Sequence, residues 1–124
     1  MAEFIRALRA DPDTCNTQVL SANLVPHASS PLRALQETGD LLGSTVLDVA
    51  GESVGVVGIN IRNKTLESSS PDVGTTYLDE VATARTQVAA LTAAGINKII
   101  LLTHIGYEND IQWMVEVPGT CMLR

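Results

Sequence analysis

The histidine most able to do chemistry in this 124-residue chain stands where a greasy run breaks off. Ile99-Ile100-Leu101-Leu102 gives way to Thr103-His104-Ile105-Gly106, and then to Tyr107, Glu108, Asn109 and Asp110. A neutral imidazole is a good ligand for zinc, manganese or iron. Gly106 would let the chain bend tightly beside an ion. A single histidine can equally sit in a turn or cap the next helix, and on its own it lacks the ligand cluster that makes a metal motif specific. The residues by themselves leave both readings open. Tyr107 to Asp110 could hold a substrate, but acids and Asn suit the first turn of a helix, and capping is the preferred reading.

The other chemically capable residues read more plainly. His27 follows Pro26 in a polar loop and is expected to be exposed and unpaired. Asn23 ends an apolar stretch and reads as a turn former. Ser68, Ser69 and Ser70 have no nucleophile-elbow context and read as loop. Asp48 and Glu52 flank a hairpin turn and should be solvated. Trp113 and Met114 read as packing residues. Gly55 and Gly58 do not make a phosphate-cradling glycine motif. Cys15 and Cys121 are far apart with no CxxC, so neither a disulfide framework nor a zinc knuckle is indicated.

The elements that must position these residues follow from period and punctuation. Glu3 to Ala10 puts Phe4, Ile5 and Leu8 on one helical face, and Asp11-Pro12-Asp13 stops it. Thr17 to Leu24 predicts a strand, and 26–31 a loop. Ser44 to Ile59 predicts a hairpin turning at Ala50-Gly51-Glu52, its second arm apolar on both faces as in a covered strand. The glycines of that arm imply close backbone approach or a bulge. Asn60 to Thr76 reads as a long polar loop. Asp79 opens a strong helix with Val81, Ala84, Val88 and Leu91 at helical spacing, ended by Gly95. Lys98 to Thr103 predicts the clearest strand, and Asn109 to Val115 a short helix stopped near Pro118-Gly119. This alternation predicts an α/β arrangement, in which sites form where loops leave the carboxyl ends of strands.

Composition narrows the classes. Apolar residues make up 45% and aromatics 3%, which suits an aliphatic core of sheet and helix. A net charge of −6 argues against nucleic-acid binding and against anionic membrane surfaces. No apolar run reaches the roughly 20 residues a bilayer span needs. No basic region followed by an apolar one follows Met1, so no signal peptide is read from these residues.

Four stretches carry a resemblance. "QVLSANL" at 18–24, "GESVGVVGIN" at 51–60, "SSPDVGTTYLDEV" at 69–81 and "NKIILLTHIGYENDIQ" at 97–112 agree in order and spacing with one family. They resemble the catalytic domain of the 5'-nucleotidases, two-metal phosphoesterases of the calcineurin-like superfamily. The resemblance runs from about residue 2 to 112 of a single unit, 1–124, leaving 113–124 as a divergent tail. It implies a partial α/β/β/α sandwich of the metallophosphoesterase type with an incomplete sheet. It matches Thr103-His104-Ile105-Gly106 to the family's ligand element, which makes His104 a metal ligand and Gly106 its supporting turn. In the parent enzyme two divalent ions, zinc, manganese or similar, would clamp a phosphate and activate a water. The substrate would be a nucleoside 5'-monophosphate or a related phosphate ester.

The departures from the family pattern matter as much. Its first-strand aspartate and histidine, its "GD" and its "GNHE" elements are absent, and "TCMLR" stands where "GGHSH" is expected. This chain therefore carries at most one ligand and none of the catalytic residues. The expectation is an internal fragment of a phosphomonoesterase, inactive alone. Two alternatives stand beside it: a small non-catalytic α/β binding or interaction module, and a complementing half of a split enzyme. Uncovered sheet edges predict self-association. The family resemblance also implies an exported, periplasmic or cell-surface parent.

Overall fold

A computed structural model describes residues 1–123. The chain runs α1 (Ala2–Ala10), β1 (Leu24–Val25), α2 (Pro31–Thr38), β2 (Ser44–Val49), β3 (Glu52–Ile59), α3 (Arg62–Ser68), β4 (Thr76–Tyr77), α4 (Glu80–Ala93), β5 (Lys98–Thr103), α5 (Tyr107–Glu116) and β6 (Thr120–Leu123).

The hairpin forms as the sequence predicts. Ala50 and Gly51 take positive φ of 54° and 85°, the backbone hand that matches a two-residue turn to strand twist. The Gly51 N–H donates to Asp48 Oδ1 at 3.1 Å and closes the turn. β3 then pairs in parallel with β5, and β5 in parallel with β6, so the sheet order is β2-β3-β5-β6. Parallel neighbours need crossovers; the segment holding α4 supplies one and α5 the other.

The glycines of β3 allow the close approaches expected of them. A Cβ on Gly55 would meet Leu91 Cδ1 of α4 at 2.9 Å, and one on Gly58 would meet Leu20 Cβ at 2.5 Å. These residues point to opposite faces, so α4 presses on one side of the sheet and the 19–22 segment on the other. On the helix side lies the main core: Val57, Ile59, Leu101 and Trp113, packed with Ala84 and Leu91 of α4. On the other face Leu47, Val49 and Leu102 stay exposed. A second cluster joins α1, α2, β1 and β4 through Ile5, Leu24, Leu35, Leu41 and Tyr77. The described residues thus give an α/β fold with a partial sheet, one face clad by helices.

Several expectations are corrected. Thr17 to Leu24 is not a continuous strand. Its backbone bonds go to two different partners, Ser21 N–H to Leu42 O and Ala22 N–H to Gly58 O, so no ladder propagates. Only Leu24 and Val25 pair regularly, with Tyr77 and Thr76. The 60–76 stretch is not structureless: it contains α3, which buries no residue and so leaves no apolar stripe to read. Ser68 accordingly ends a helix, its hydroxyl donating to Lys64 O. The expected loop at 26–31 runs into a helix that the sequence pattern does not announce, α2, which Ser30 caps, Pro31 opens and Gly39 (φ 79°) ends. Phe4 is 63% exposed, leaving Ile5 as the buried residue of α1. Helix α5 begins at Tyr107, two residues before the expected start. Trp113 is buried as expected; the side chain of Met114 and all of Arg124 lie outside the described residues.

Candidate functional site

Strand β5 alternates cleanly. Ile99, Leu101 and Thr103 face the helix-side core, and Lys98 and Leu102 face away and are exposed. His104 prolongs the outward set. It is exposed between two buried neighbours, Thr103 at 4% and Ile105 at 5% exposure. Gly106 follows with φ 97°, a conformation costly for any residue with a Cβ, and serves as the N-cap of α5.

The first turn of α5 reaches back across this loop. The Thr103 hydroxyl donates to Asp110 Oδ1 at 2.7 Å, a bond buried between strand end and helix. Asn109 Nδ2 donates to Ile105 O at 2.9 Å. The Asp110 N–H donates to Gly106 O at 3.0 Å and starts the helix. Residues 107–110 form the first turn of α5, as preferred. Asn109 and Asp110 also tie the His104 loop.

The remaining candidates lie elsewhere. Asn23 lies in a turn just before β1, as expected, and its side chain does more than turn the chain. It is fully buried, accepts the Asn60 N–H at 3.0 Å and donates to Asn60 O at 2.8 Å. It thereby fastens the start of β1 to the carboxyl end of β3. His27 is exposed, as expected, but has partners: its Nδ1 lies 2.8 Å from the Ser29 hydroxyl and accepts the Ser29 N–H. Glu52 meets Lys98 Nζ at 2.7 Å, and that hydrogen bond and positive charge hold its carboxyl below the usual carboxylate range. Burial pushes the Tyr77 phenol above its ordinary value. A cleft of about 300 Å³ opens beside the carboxyl ends of β3 and β5, lined by Ile61, Glu80, Ile105, Asn109 and Trp113. His104 is not part of its lining. A larger hollow, about 520 Å³, lies far along the chain from His104, between the starts of α1 and α2 and the 69–75 loop.

Among the described residues no group of three or more His, Cys, Asp or Glu side chains could hold a metal ion. The donors present do not fit a divalent metal centre, which needs a converging set of ligands. His104 stands exposed.

Comparison with known proteins decides the family. The chain is 39% identical over 101 residues to a probable 5'-nucleotidase of Treponema pallidum, covering 82% of this chain. It is 42% identical over 94 residues to an NAD 5'-nucleotidase of Haemophilus influenzae, covering 76% of this chain. The chain is a 5'-nucleotidase family segment. It spans 16% and 15% of the length of those two relatives. The solved NAD nucleotidase of Haemophilus influenzae matches the segment with a TM-score of 0.74 and 38% identity, over 85% of this chain and 20% of that one. A 5'-nucleotidase precursor from Thermus thermophilus matches with a TM-score of 0.79 and 29% identity, over 96% and 21%. No family model matches the chain. These likenesses side with part of a nucleotidase-like phosphoesterase domain over a free-standing binding module.

The residues that sequence reasoning missed are the ones that hold the nucleotidase segment's loops. Asn23 stands between Ala22 and Leu24 with no Gly or Pro beside it, a weak signal of an amide drawn into the interior. Asp110 four residues into a helix gives no signal at all until Thr103 is seen opposite.

Proposed function

We propose that this segment works within a metal-dependent 5'-nucleotidase that hydrolyses nucleoside 5'-monophosphates or related phosphate esters. The observation that supports it most is a solvent-facing imidazole at the carboxyl end of a central parallel strand, in a chain similar to nucleotidases. In this reading His104 is the one metal ligand the segment contributes, with Gly106 shaping its turn. The other ligands of a two-ion site, zinc, manganese or similar, would come from outside residues 1–124. Because the donors here do not complete a centre, no catalytic step is assigned to this chain by itself. The segment is a single unit whose free strand edges favour self-association when nothing else covers them.

The test has two arms. The purified chain is assayed with AMP and with a generic phosphate ester in manganese or zinc, and negligible turnover is expected. Metal-dependent turnover of about 1 per second or more, an ordinary enzyme rate, would overturn the reading. In a longer nucleotidase containing this segment, His104→Ala should sharply lower activity and metal occupancy together. Unchanged occupancy would remove His104 from the ligand set.

A further inference from the structure

We infer that Asp110 is the positioning residue for His104, fixing the backbone from which the imidazole projects. This rests on the reading of His104 as the side chain the segment contributes to chemistry, and it adds the group that sets where that side chain stands.

Asp110 is 4% exposed. Burying a carboxylate is costly unless it gains good hydrogen bonds. Asp110 accepts the buried Thr103 hydroxyl at 2.7 Å. That bond closes the His104-Ile105-Gly106 loop from below, joining the last residue of β5 to the first turn of α5. Charge-assisted bonds of this kind are short and strong. Ile105, buried in the core and held at its carbonyl by Asn109, fixes the other side of His104. The ring of His104 itself is left in solvent. The direction of the imidazole is thus set through its neighbours, and Asp110 is the polar anchor of that arrangement.

Backbone order parameters from ¹⁵N relaxation on the full chain test this. In the unmodified chain, residues 103–106 should be as rigid as the sheet, about 0.85. In Asp110→Ala, His104 and Ile105 should fall below about 0.6 while the β2–β3 turn keeps its value. Asp110→Asn retains an oxygen for the Thr103 hydroxyl and should restore order. Thr103→Val removes the donor and should loosen the loop as Asp110→Ala does, whereas Thr103→Ser should not. If Asp110→Ala fails to fold, the Thr103 pair carries the comparison. A loop that stays rigid in folded Asp110→Ala or in Thr103→Val overturns the inference. So does a loop that Asp110→Asn leaves loose, since the hydrogen bond would then not be the cause. The readout involves neither metal nor turnover, so it is decided separately from the ligand reading of His104.

Discussion

Single residues here divide into those that face outward and those that hold the loops. His104 belongs to the first group. Its ring is exposed, so His104→Ala should change stability by no more than the roughly ±0.5 kcal/mol typical of surface positions. Thermal unfolding of the chain checks this; a collapse of the melting point would make it a structural histidine. Asn23 belongs to the second group. Asn23→Ala would strand the Asn60 N–H and C=O around a buried hole, at about 2–4 kcal/mol for groups left without partners. Urea unfolding of the variant should show it, and a loss below about 0.5 kcal/mol, the range of surface changes, would refute it. Tyr77 adds a pH signature. Its folded pKa is raised by burial, so the neutral phenol is the form that favours folding. That contribution is complete below the unfolded value of about 10 and is lost as pH climbs through the folded value. Tyr77→Phe should therefore flatten the alkaline limb of the stability profile, measured by denaturant unfolding at stepped pH, relative to the unmodified chain.

At the scale of elements, β3 is the strand most sensitive to added atoms. Gly58→Ala would drive a Cβ to 2.5 Å from Leu20 Cβ and 2.7 Å from the Leu20 carbonyl oxygen. The backbone of 19–22 would have to move, so a loss of about 1–3 kcal/mol is expected, as for an overpacked core. Denaturant unfolding beside Gly51→Ala separates the causes, because Gly51 has open space around it and would lose only through its positive φ. The same close approach explains what was legible. β5, α4 and the hairpin were readable because each carries its own signal: an aliphatic run, a helical stripe on Ala84 and Leu91, a turn at Ala50-Gly51. α3 was not, because nothing on it is buried. The 17–24 segment misled because its apolar residues answer to two strands at once rather than to a ladder. At the site, His104 and Gly106 were legible from strand end and turn. Their tie to Asp110 was not, since a strand hydroxyl and a helix carboxylate meet only after the chain has folded back.

For the molecule as a whole, the sheet is clad on one side and bare on much of the other. Leu47, Val49 and Leu102 are exposed there, and β2 and β6 are edge strands among the described residues. Light scattering after size-exclusion chromatography should give a mass that rises with concentration. A strict monomer across the range would count against self-association. The net charge of −6 opposes close approach of copies, so added salt should strengthen the association. The bond pattern of the sheet has one more consequence. β5 is the strand with a parallel partner on each side, β3 and β6, and its inner residues lie in the main core. Its amide hydrogens should then be among the last to exchange with deuterated solvent, while those of β2, paired on one side, exchange early. Read that way, the imidazole is mounted on the slowest-opening part of the chain, and the loop just beyond it should exchange only when the helix lets go.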